Sequence, residues 1–164
     1  MAAYSLVSHL LGLKDRHNGN ILLDNKGHVI HIDFGFLLGT APGGSFSLER
    51  VPFKLTAEHV EAMGGWQSDG FADFVVLLCC GFSALQKHSS KILALVEVMA
   101  RDSPFPCFKA GTAAVEKMRS RLKLHLTTNE QVAAHVADLV RQSYNAYGTR
   151  QYDSFQYLTN GIYS

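Results

Sequence analysis

Apolar residues follow two different patterns along this chain, helical spacing and short strand-like runs, and the strand-like runs lie in its N-terminal quarter. Apolar positions at helical spacing predict a helix over residues 2–11, which Gly12 would end. Two short apolar runs follow at residues 21–23 and 29–32, on either side of a turn-forming stretch at 24–27. The first quarter therefore predicts one helix and a small β-hairpin.

Helical periodicity dominates after residue 56. Thr56 is suited to cap a short helix, and Ser68 or Asp69 to begin a longer one. Because apolar residues form a wide stripe on that longer helix between Phe71 and Leu85, we expect it at the centre of the core. Further helix starts are predicted at Ser89 or Ser90, at Thr112, at the capping-box pair Thr127 and Glu130, and at Gln151, with Gly148 ending the helix before the last.

Residues 36–55 belong to neither pattern. Glycine, proline and serine interrupt the apolar positions there and predict a loop of about twenty residues. Loops of that length inside a compact domain are usually functional or disordered. The predicted fold class is mainly α with a small β-hairpin.

Composition narrows the picture without identifying a partner. A chain of 164 residues that is 47% hydrophobic can bury one sizeable core, and 15 basic against 14 acidic residues give no electrostatic argument for a nucleic-acid partner. The three cysteines have neither a disulfide nor a zinc spacing, which favours a reduced, cytoplasmic compartment. No uninterrupted apolar run reaches about 18 residues, so we expect no transmembrane helix.

The residues that carry chemistry are concentrated between Lys14 and Phe36. Transfer of a phosphoryl group from ATP requires a divalent cation held by hard oxygen ligands, and a group that orients or deprotonates the acceptor hydroxyl. Asn20 and Asp33 flank the predicted hairpin and offer such oxygens, and Asp15 or His17 can serve the hydroxyl. Histidine suits a base near neutrality better than aspartate does, yet the sequence leaves this choice open.

The spacing of these residues resembles that of kinases. Asp15 precedes Asn20 by five residues, as the catalytic aspartate of protein kinases precedes its asparagine, and Asp33-Phe34-Gly35 follows. The inverted order Asp15-Arg16-His17 resembles the phosphatidylinositol 3-/4-kinase superfamily. The segments FKLT at 53–56, PCF at 106–108 and YDSFQYLTNGI at 152–162 resemble its type III beta phosphatidylinositol 4-kinases.

The resemblance implies a C-terminal lobe of a bilobal lipid-kinase fold. Residues 14–20 would be the catalytic loop, 33–55 the metal-binding motif and activation loop, and 56–164 a helical region. The glycine-rich loop and lysine of an N-terminal lobe are absent from residues 1–164, so we expect little activity from this chain alone. The missing N-lobe and an upstream helical region are the expected partners, and the N-lobe would dock on an apolar face around Tyr4, Ile32 and Phe34.

The resemblance also assigns roles to single residues. Asp15, Arg16 and His17 would be catalytic. Asn20, Ile32 and Asp33 would contact ATP, and Asn20 and Asp33 would hold Mg²⁺, with Mn²⁺ as a second candidate metal.

The acceptor implied by the resemblance is phosphatidylinositol in a membrane. Glu49, Arg50 and Lys54 are the only charges of the activation loop, which is too few for a headgroup that already carries phosphates, so Arg50 and Lys54 would meet an unphosphorylated one. The expected location is cytoplasmic, peripheral on Golgi or other internal membranes.

The last predicted helix has two interpretations. Tyr152, Phe155, Leu158 and Ile162 form a stripe that core packing explains, with Tyr157 and Tyr163 off it. An aromatic-rich terminal helix can also lie at a membrane surface.

Two alternatives to a lipid kinase stay open at this point. A related branch of protein serine/threonine kinases shares the D-R-H and H-I-D-F-G motifs, and a non-catalytic interaction fragment would retain them without using them. Singly, Asp15 can cap a turn, and His17 can be a core histidine.

Overall fold

The computed structural model describes residues 1–163 and is mainly helical, as the sequence predicts. Its helices and strands, in chain order, are α1 (Ala2–Leu11), β1 (Ile21–Leu23), β2 (Val29–His31), α2 (Ala57–Ala62), α3 (Asp69–Lys87), α4 (Ser89–Ala100), α5 (Thr112–Arg121), α6 (Asn129–Ser143) and α7 (Tyr147–Asn160). Short 3₁₀ turns occupy Asn18–Asn20, Gly44–Phe46 and Pro106–Phe108. The prediction of a mainly α fold with one small hairpin is confirmed.

Helix α3 lies at the centre of the larger hydrophobic core, where α1 and α6 pack against it. Its inward face consists of four buried residues: Phe71, Phe74, Leu78 and Phe82. Gly81 allows α1 to approach closely, because a Cβ there would lie 2.4 Å from the Leu6 side chain. By length and composition alone, α3 is also long and apolar enough to cross a membrane, with a mean hydropathy of 1.4. Its contacts with α1 and α6 are those of the core helix that the sequence predicts.

A second apolar cluster joins α4 and α5 to the end of α1. It contains Leu10, Leu93, Val96, Val115, Met118 and Leu122, and Leu38 reaches it from the long loop. Leu38 thereby ties the beginning of that loop to the helical platform.

The hairpin forms where the apolar runs predict it. Strands β1 and β2 are antiparallel, with Ile21 opposite His31. The Asp24 carboxylate accepts hydrogen bonds from the amides of Lys26 and His28, each at 2.8 Å, and so closes the turn.

The predicted capping pair of α6 is wrong by one residue. Thr128, not Thr127, is the N-cap, and its hydroxyl accepts from the Gln131 amide at 3.3 Å. The Gln131 side chain accepts in return from the Thr128 amide at 3.3 Å, so Gln131 takes the place that the sequence assigns to Glu130. Thr with Gln forms a capping box as well as Thr with Glu does. The sequence alone therefore hardly distinguishes the pair Thr127 and Glu130 from the pair Thr128 and Gln131.

The predicted start of the last helix and the role of Gly148 are also wrong. Helix α6 ends at Ser143, and α7 begins at Tyr147, so Gly148 lies in the first turn of α7. A Cβ at Gly148 would lie 2.3 Å from the Leu48 carbonyl oxygen, so this glycine permits close packing of the long loop on α7.

Core packing of the α7 apolar stripe is contradicted for two of its residues. Tyr152 is buried, but Phe155 is 51% exposed and Leu158 is 81% exposed. The face of α7 that turns inward is mainly polar and contains Thr149, Tyr152, Asp153 and Gln156. Polar interactions therefore fix this helix to the remainder of the protein.

One partly buried histidine makes the stability of the fold sensitive to pH. His9 on α1 lies against the rings of Phe82 and His135, with centroids 6.4 and 6.2 Å away, and its Nε2 has no hydrogen-bond partner. Burial, with a smaller contribution from the charge of Arg121, lowers the pKa of His9 from 6.5 to about 4. The unfolded chain therefore binds a proton at His9 at a higher pH than the folded protein does.

We expect the free energy of unfolding to fall as the pH drops from 6.5 to 4, by roughly 1–3 kcal/mol from His9. Urea denaturation at pH 7 and pH 4.5 measures this loss. His9→Gln should reduce the pH dependence, whereas His125→Gln, at an exposed position, should retain it. Equal pH dependence in wild type and His9→Gln would contradict the assignment.

Candidate active site

Main-chain contacts place the two predicted motifs side by side. The amide of Lys14 donates to the Phe36 carbonyl at 2.9 Å, and the amide of Leu38 donates to the Leu11 carbonyl at 2.7 Å. The amide of Ile32 donates to the Asn20 carbonyl at 3.0 Å and closes the base of the hairpin. Residues 14–20 and 32–38 therefore form one joined segment at the end of α1.

Arg16 fixes the relative position of these motifs. It is 3% exposed, and its Nη1 donates to the Ile32 carbonyl at 2.9 Å and the Asn20 carbonyl at 3.4 Å. Its Nη2 donates to the Asp33 carbonyl, and its Nε to the Lys14 carbonyl at 2.9 Å. The catalytic role predicted for Arg16 stays a prediction, and these bonds make it a positioning residue for Asp33.

Glu49 holds the predicted catalytic loop, residues 14–20, from the opposite side. Its carboxylate accepts from the amide of Asp15 and, at 2.9 Å, from the amide of Arg16. Burial raises the pKa of Glu49, and the two amide bonds oppose that rise because they favour the charged carboxylate. Sequence reasoning noted Glu49 only as a loop charge. The one signal that could have singled it out is that it is the sole acidic residue of the long loop.

Asn20 and Asp33 offer the oxygen atoms that a cation needs. The Asn20 side-chain nitrogen Nδ2 donates to the Asp15 carbonyl at 3.0 Å. The Oδ1 atom of the same amide group therefore points the other way and can face a cation. Asp33 is exposed, and its Oδ1 accepts only a long bond from the Gly35 amide, at 3.3 Å. Within residues 1–163, no three His, Cys, Asp or Glu residues are grouped to hold a metal. A cation at this position would therefore take its remaining ligands from phosphates and water.

Asp15 and His17 form the pair that could serve an acceptor hydroxyl. His17 Nε2 lies 3.6 Å from Asp15 Oδ1, and both side chains are largely buried. His17 Nδ1 is buried with no hydrogen-bond partner, and a Cβ at Gly19 would lie 3.1 Å from it. The structure places the two side by side, and their catalytic roles and the choice of base stay predictions.

Helix α7 reaches this pair through a chain of polar side chains. The Tyr152 hydroxyl donates to Asp15 Oδ1, and Gln156 Nε2 donates to the Tyr152 oxygen at 2.9 Å. Burial, together with the bond to Asp15, raises the pKa of the Tyr152 phenol, so it remains a donor at neutral pH. The sequence indicated Tyr152 only as an apolar stripe residue, and its link to Asp15 spans 137 positions.

Lys54 and Arg50, the predicted headgroup contacts, occupy different environments. Lys54 is 8% exposed, and its ammonium group lies 2.7 Å from Asp153 on α7 and 2.8 Å from the Asn18 side-chain oxygen. Arg50 is exposed, and its Nε donates to the Ser47 carbonyl at 3.3 Å. Contact of Lys54 with a headgroup stays a prediction that requires this ion pair to open.

Ile32 and Phe34 lie on the accessible side of the site. They are 39% and 51% exposed, and the Arg16 guanidinium lies 5.7 Å from the Phe34 ring centroid. Tyr4 stacks on His31 beside them, with ring centroids 4.2 Å apart. The site therefore opens along a partly apolar face, and the ATP contact of Ile32 stays a prediction.

Known proteins are similar to this chain over nearly its whole length. The chain is 49% identical over 166 residues to phosphatidylinositol 4-kinase beta 2 of Arabidopsis thaliana, an alignment that covers 99% of this chain and 15% of that protein. It is 45% identical over 164 residues to phosphatidylinositol 4-kinase PIK1 of Saccharomyces cerevisiae, covering 100% of this chain and 15% of the relative. For phosphatidylinositol 4-kinase beta of Xenopus laevis, the identity is 46% over 161 residues, covering 98% and 20%.

The chain thus spans a fifth or less of the length of these relatives. The family model described as phosphatidylinositol 3- and 4-kinase matches residues 1–109, which include the predicted catalytic loop, the hairpin and the long loop. Together with the geometry around Asp15 and Asp33, this match confirms the family resemblance, and the chain belongs to the phosphatidylinositol 3- and 4-kinase family.

Proposed function

We propose that this chain supplies the catalytic and metal-binding side of an ATP-dependent phosphatidylinositol 4-kinase. The observation that carries the proposal is the convergence of Asp15, His17, Asn20 and Asp33 on the joined segment at the hairpin base. Relatives named phosphatidylinositol 4-kinases align over nearly the whole chain. A glycine-rich loop and lysine from an N-lobe would complete the ATP site.

The oxygen set fits a Mg²⁺–ATP complex, and Mn²⁺ is a second candidate. Asp33 and the Asn20 Oδ1 would hold the cation, which when bound neutralises charge on the transferring phosphoryl group. Arg16 contributes by holding the Asp33 main chain in place. Ile32 would contact the nucleotide from the accessible side of the hairpin.

The acceptor hydroxyl would be oriented by Asp15 and His17. Tyr152 donates to one oxygen of the Asp15 carboxylate, which leaves the other oxygen, 3.4 Å from the Asn20 amide nitrogen, within reach of a substrate proton. His17 lies beside that carboxylate and can accept or relay a proton. The amides that Glu49 binds fix the backbone from which both side chains project.

The burial of two of the three charged side chains of the long loop favours an acceptor lipid with an unphosphorylated headgroup. Of its three charges, Glu49 and Lys54 are buried in internal contacts, and Arg50 is exposed. One exposed cation offers little binding energy to a headgroup that already carries phosphates. We therefore propose plain phosphatidylinositol as the acceptor, with the 4-hydroxyl as the position that the relatives' names indicate.

A chimera tests the activity directly. Residues 1–163 replace the aligned segment of phosphatidylinositol 4-kinase PIK1, and phosphate transfer to vesicles of phosphatidylinositol is measured. We expect activity, and a loss of at least about 100-fold for Asp33→Ala and for Asp15→Asn, because each removes charge from the reacting centre. Asp24→Asn, in the hairpin turn, is the matched control and should retain activity.

The acceptor is tested with the same chimera. Plain phosphatidylinositol should be phosphorylated faster than a bisphosphorylated lipid, and a protein or peptide should be a poor acceptor. Preference for a peptide would favour the protein-kinase branch. A folded but inactive chimera, or full activity in Asp33→Ala, would contradict the proposed function.

We also propose that the outer face of α7, together with Tyr163 just after the helix, contacts the membrane. Phe155, Tyr157, Leu158 and Tyr163 are 51%, 47%, 81% and 76% exposed, and the two tyrosine rings lie 5.3 Å apart. An exposed face of aromatic and aliphatic residues suits the interface of a bilayer. The setting that we infer is the cytoplasmic side of Golgi or other internal membranes.

Replacing Tyr157 and Leu158 by serine should weaken sedimentation with phosphatidylinositol vesicles by several-fold, because both side chains leave the apolar face. ATP hydrolysis by the chimera without lipid should be unchanged. Gln151→Ser, an exposed polar position on the same helix, is the control. Unchanged vesicle binding in the double variant would remove α7 as a membrane contact.

A further inference from the structure

A cavity of about 670 Å³ lies behind the long loop. The four predicted site residues Asp15, His17, Asn20 and Asp33 do not line it. The loop around Ser47–Pro52 forms one wall, and the ends of α1 and α5 and the side of α6 form the others. Its basic lining residues are His9, Lys14, Arg50, Arg121, Lys123 and His135. The proposed phosphoryl transfer does not use Arg121 at the end of α5, Lys123 in the turn after it, or His135 on α6.

Arg121 is held so that its guanidinium faces this cavity. Its Nη1 donates to the Leu10 carbonyl at 3.2 Å, and the group lies flat against Gly12, where a Cβ would come within 2.5 Å of Nη2. Gly12 therefore provides both the left-handed turn after α1, with φ of 61°, and the space for the guanidinium. Among residues 1–163, no carboxylate lies within ion-pair distance of Arg121.

The acidic residues of the lining are engaged elsewhere. Glu49 accepts from the catalytic-loop amides, and Asp138 forms an ion pair with Arg141 and accepts from Gln142 at 2.5 Å. The lining therefore keeps an excess of positive charge, with Lys14, Arg50, Arg121 and Lys123 against Glu49 and Asp138.

Two histidine nitrogens add polar groups that have no partner. His9 Nε2 and His135 Nε2 are both buried and unbonded in the described structure, and both residues line the cavity. Their rings lie 6.2 Å apart, so the two side chains are neighbours in the cavity wall. Buried polar atoms normally have partners, which makes two such atoms beside an unpaired guanidinium a ligand-binding feature.

We propose that this cavity binds an anion that carries phosphate groups on a small polar scaffold, of the inositol phosphate class. The volume falls in the range of roughly 300–1,000 Å³ that is usual for small-molecule sites, so it holds more than a single phosphate ion. Arg121 would bind a phosphate through two parallel donors, with Lys123 and the two histidines completing the set. The same chemistry is present in a free inositol phosphate and in a phosphorylated lipid headgroup.

Occupancy of this site would act on the loop that forms its wall. Glu49 and Lys14 both line the cavity, and Lys14 donates to the Val51 carbonyl at 2.9 Å. A bound anion would draw the loop toward α5 and so stabilise the segment that carries Glu49. The binding itself does not depend on the proposed phosphoryl transfer.

Calorimetric titration of the 164-residue chain tests the proposal, with inositol 1,4-bisphosphate as the soluble probe. Vesicles that contain phosphatidylinositol 4-phosphate form a second arm. Wild type should bind at least one of the two, and Arg121→Gln with Lys123→Gln should bind at least tenfold more weakly. Binding of the soluble probe identifies a free phosphate as sufficient, and binding of vesicles alone assigns the site to a lipid headgroup.

Arg119→Gln is the control for loss of an arginine from α5, because Arg119 lies on that helix but pairs with Glu97 and Glu116 at the surface. It should bind as wild type does. Since Arg121 also bonds α1, Lys123→Gln with His135→Gln provides a second weakened variant that keeps this contact. No binding in either arm, or equal binding by wild type and both double variants, would overturn the proposal.

Discussion

The buried carboxylate of Glu49, bound to the amides of Asp15 and Arg16, is the interaction on which the rest of the site depends. Asp15 has a φ of 64°, in the left-handed region that side chains other than glycine rarely adopt. Such a conformation persists only where its surroundings fix it. Glu49 fixes it from the long loop, and Tyr152 binds the Asp15 side chain from α7.

Arg16 links the predicted catalytic loop to the predicted metal-binding motif. Asp33 also has a positive φ, 54°, and Arg16 binds its carbonyl. Because the guanidinium bonds main-chain carbonyls on both sides of the hairpin base, the positions of Asn20 and Asp33 are coupled. The apolar helices provide the platform beneath, through α1 and α3, and the polar face of α7 closes the site from the opposite side. The Lys54–Asp153 pair, 2.7 Å long and almost fully buried, joins the loop to that helix a second time.

Local signals in the sequence predicted most of the platform. Gly12, the 24–27 turn and Ser68 act through their own or adjacent residues, so their effects are readable from short stretches, and all three appear as predicted. The failures have a different origin. The α6 cap lies one residue later than predicted because neighbouring polar residues offer equivalent capping pairs. Gly148 does not end a helix but lies within α7, where it leaves space for Leu48, which is far away in sequence.

The candidate site divides in the same way. The motif spacing predicted the grouping of Asp15, His17, Asn20 and Asp33, since these residues lie within one short segment. Glu49 and Tyr152 contact that segment from 34 and 137 positions away, and no local pattern marks either contact. The spacing of apolar residues assigned Tyr152 to a packing stripe. That spacing treats tyrosine as an apolar residue and takes no account of the hydroxyl group that binds Asp15.

Amide hydrogen exchange at Asp15 and Arg16, followed by NMR, tests most directly whether Glu49 holds the catalytic loop. In the wild-type chain both amides should be protected, because each donates to a buried carboxylate. In Glu49→Ala they should exchange at least about tenfold faster, while amides in the middle of α3 keep their rates and Glu61→Ala, at an exposed position, changes neither set. Unchanged exchange at Asp15 and Arg16 in a folded Glu49→Ala chain would contradict this account.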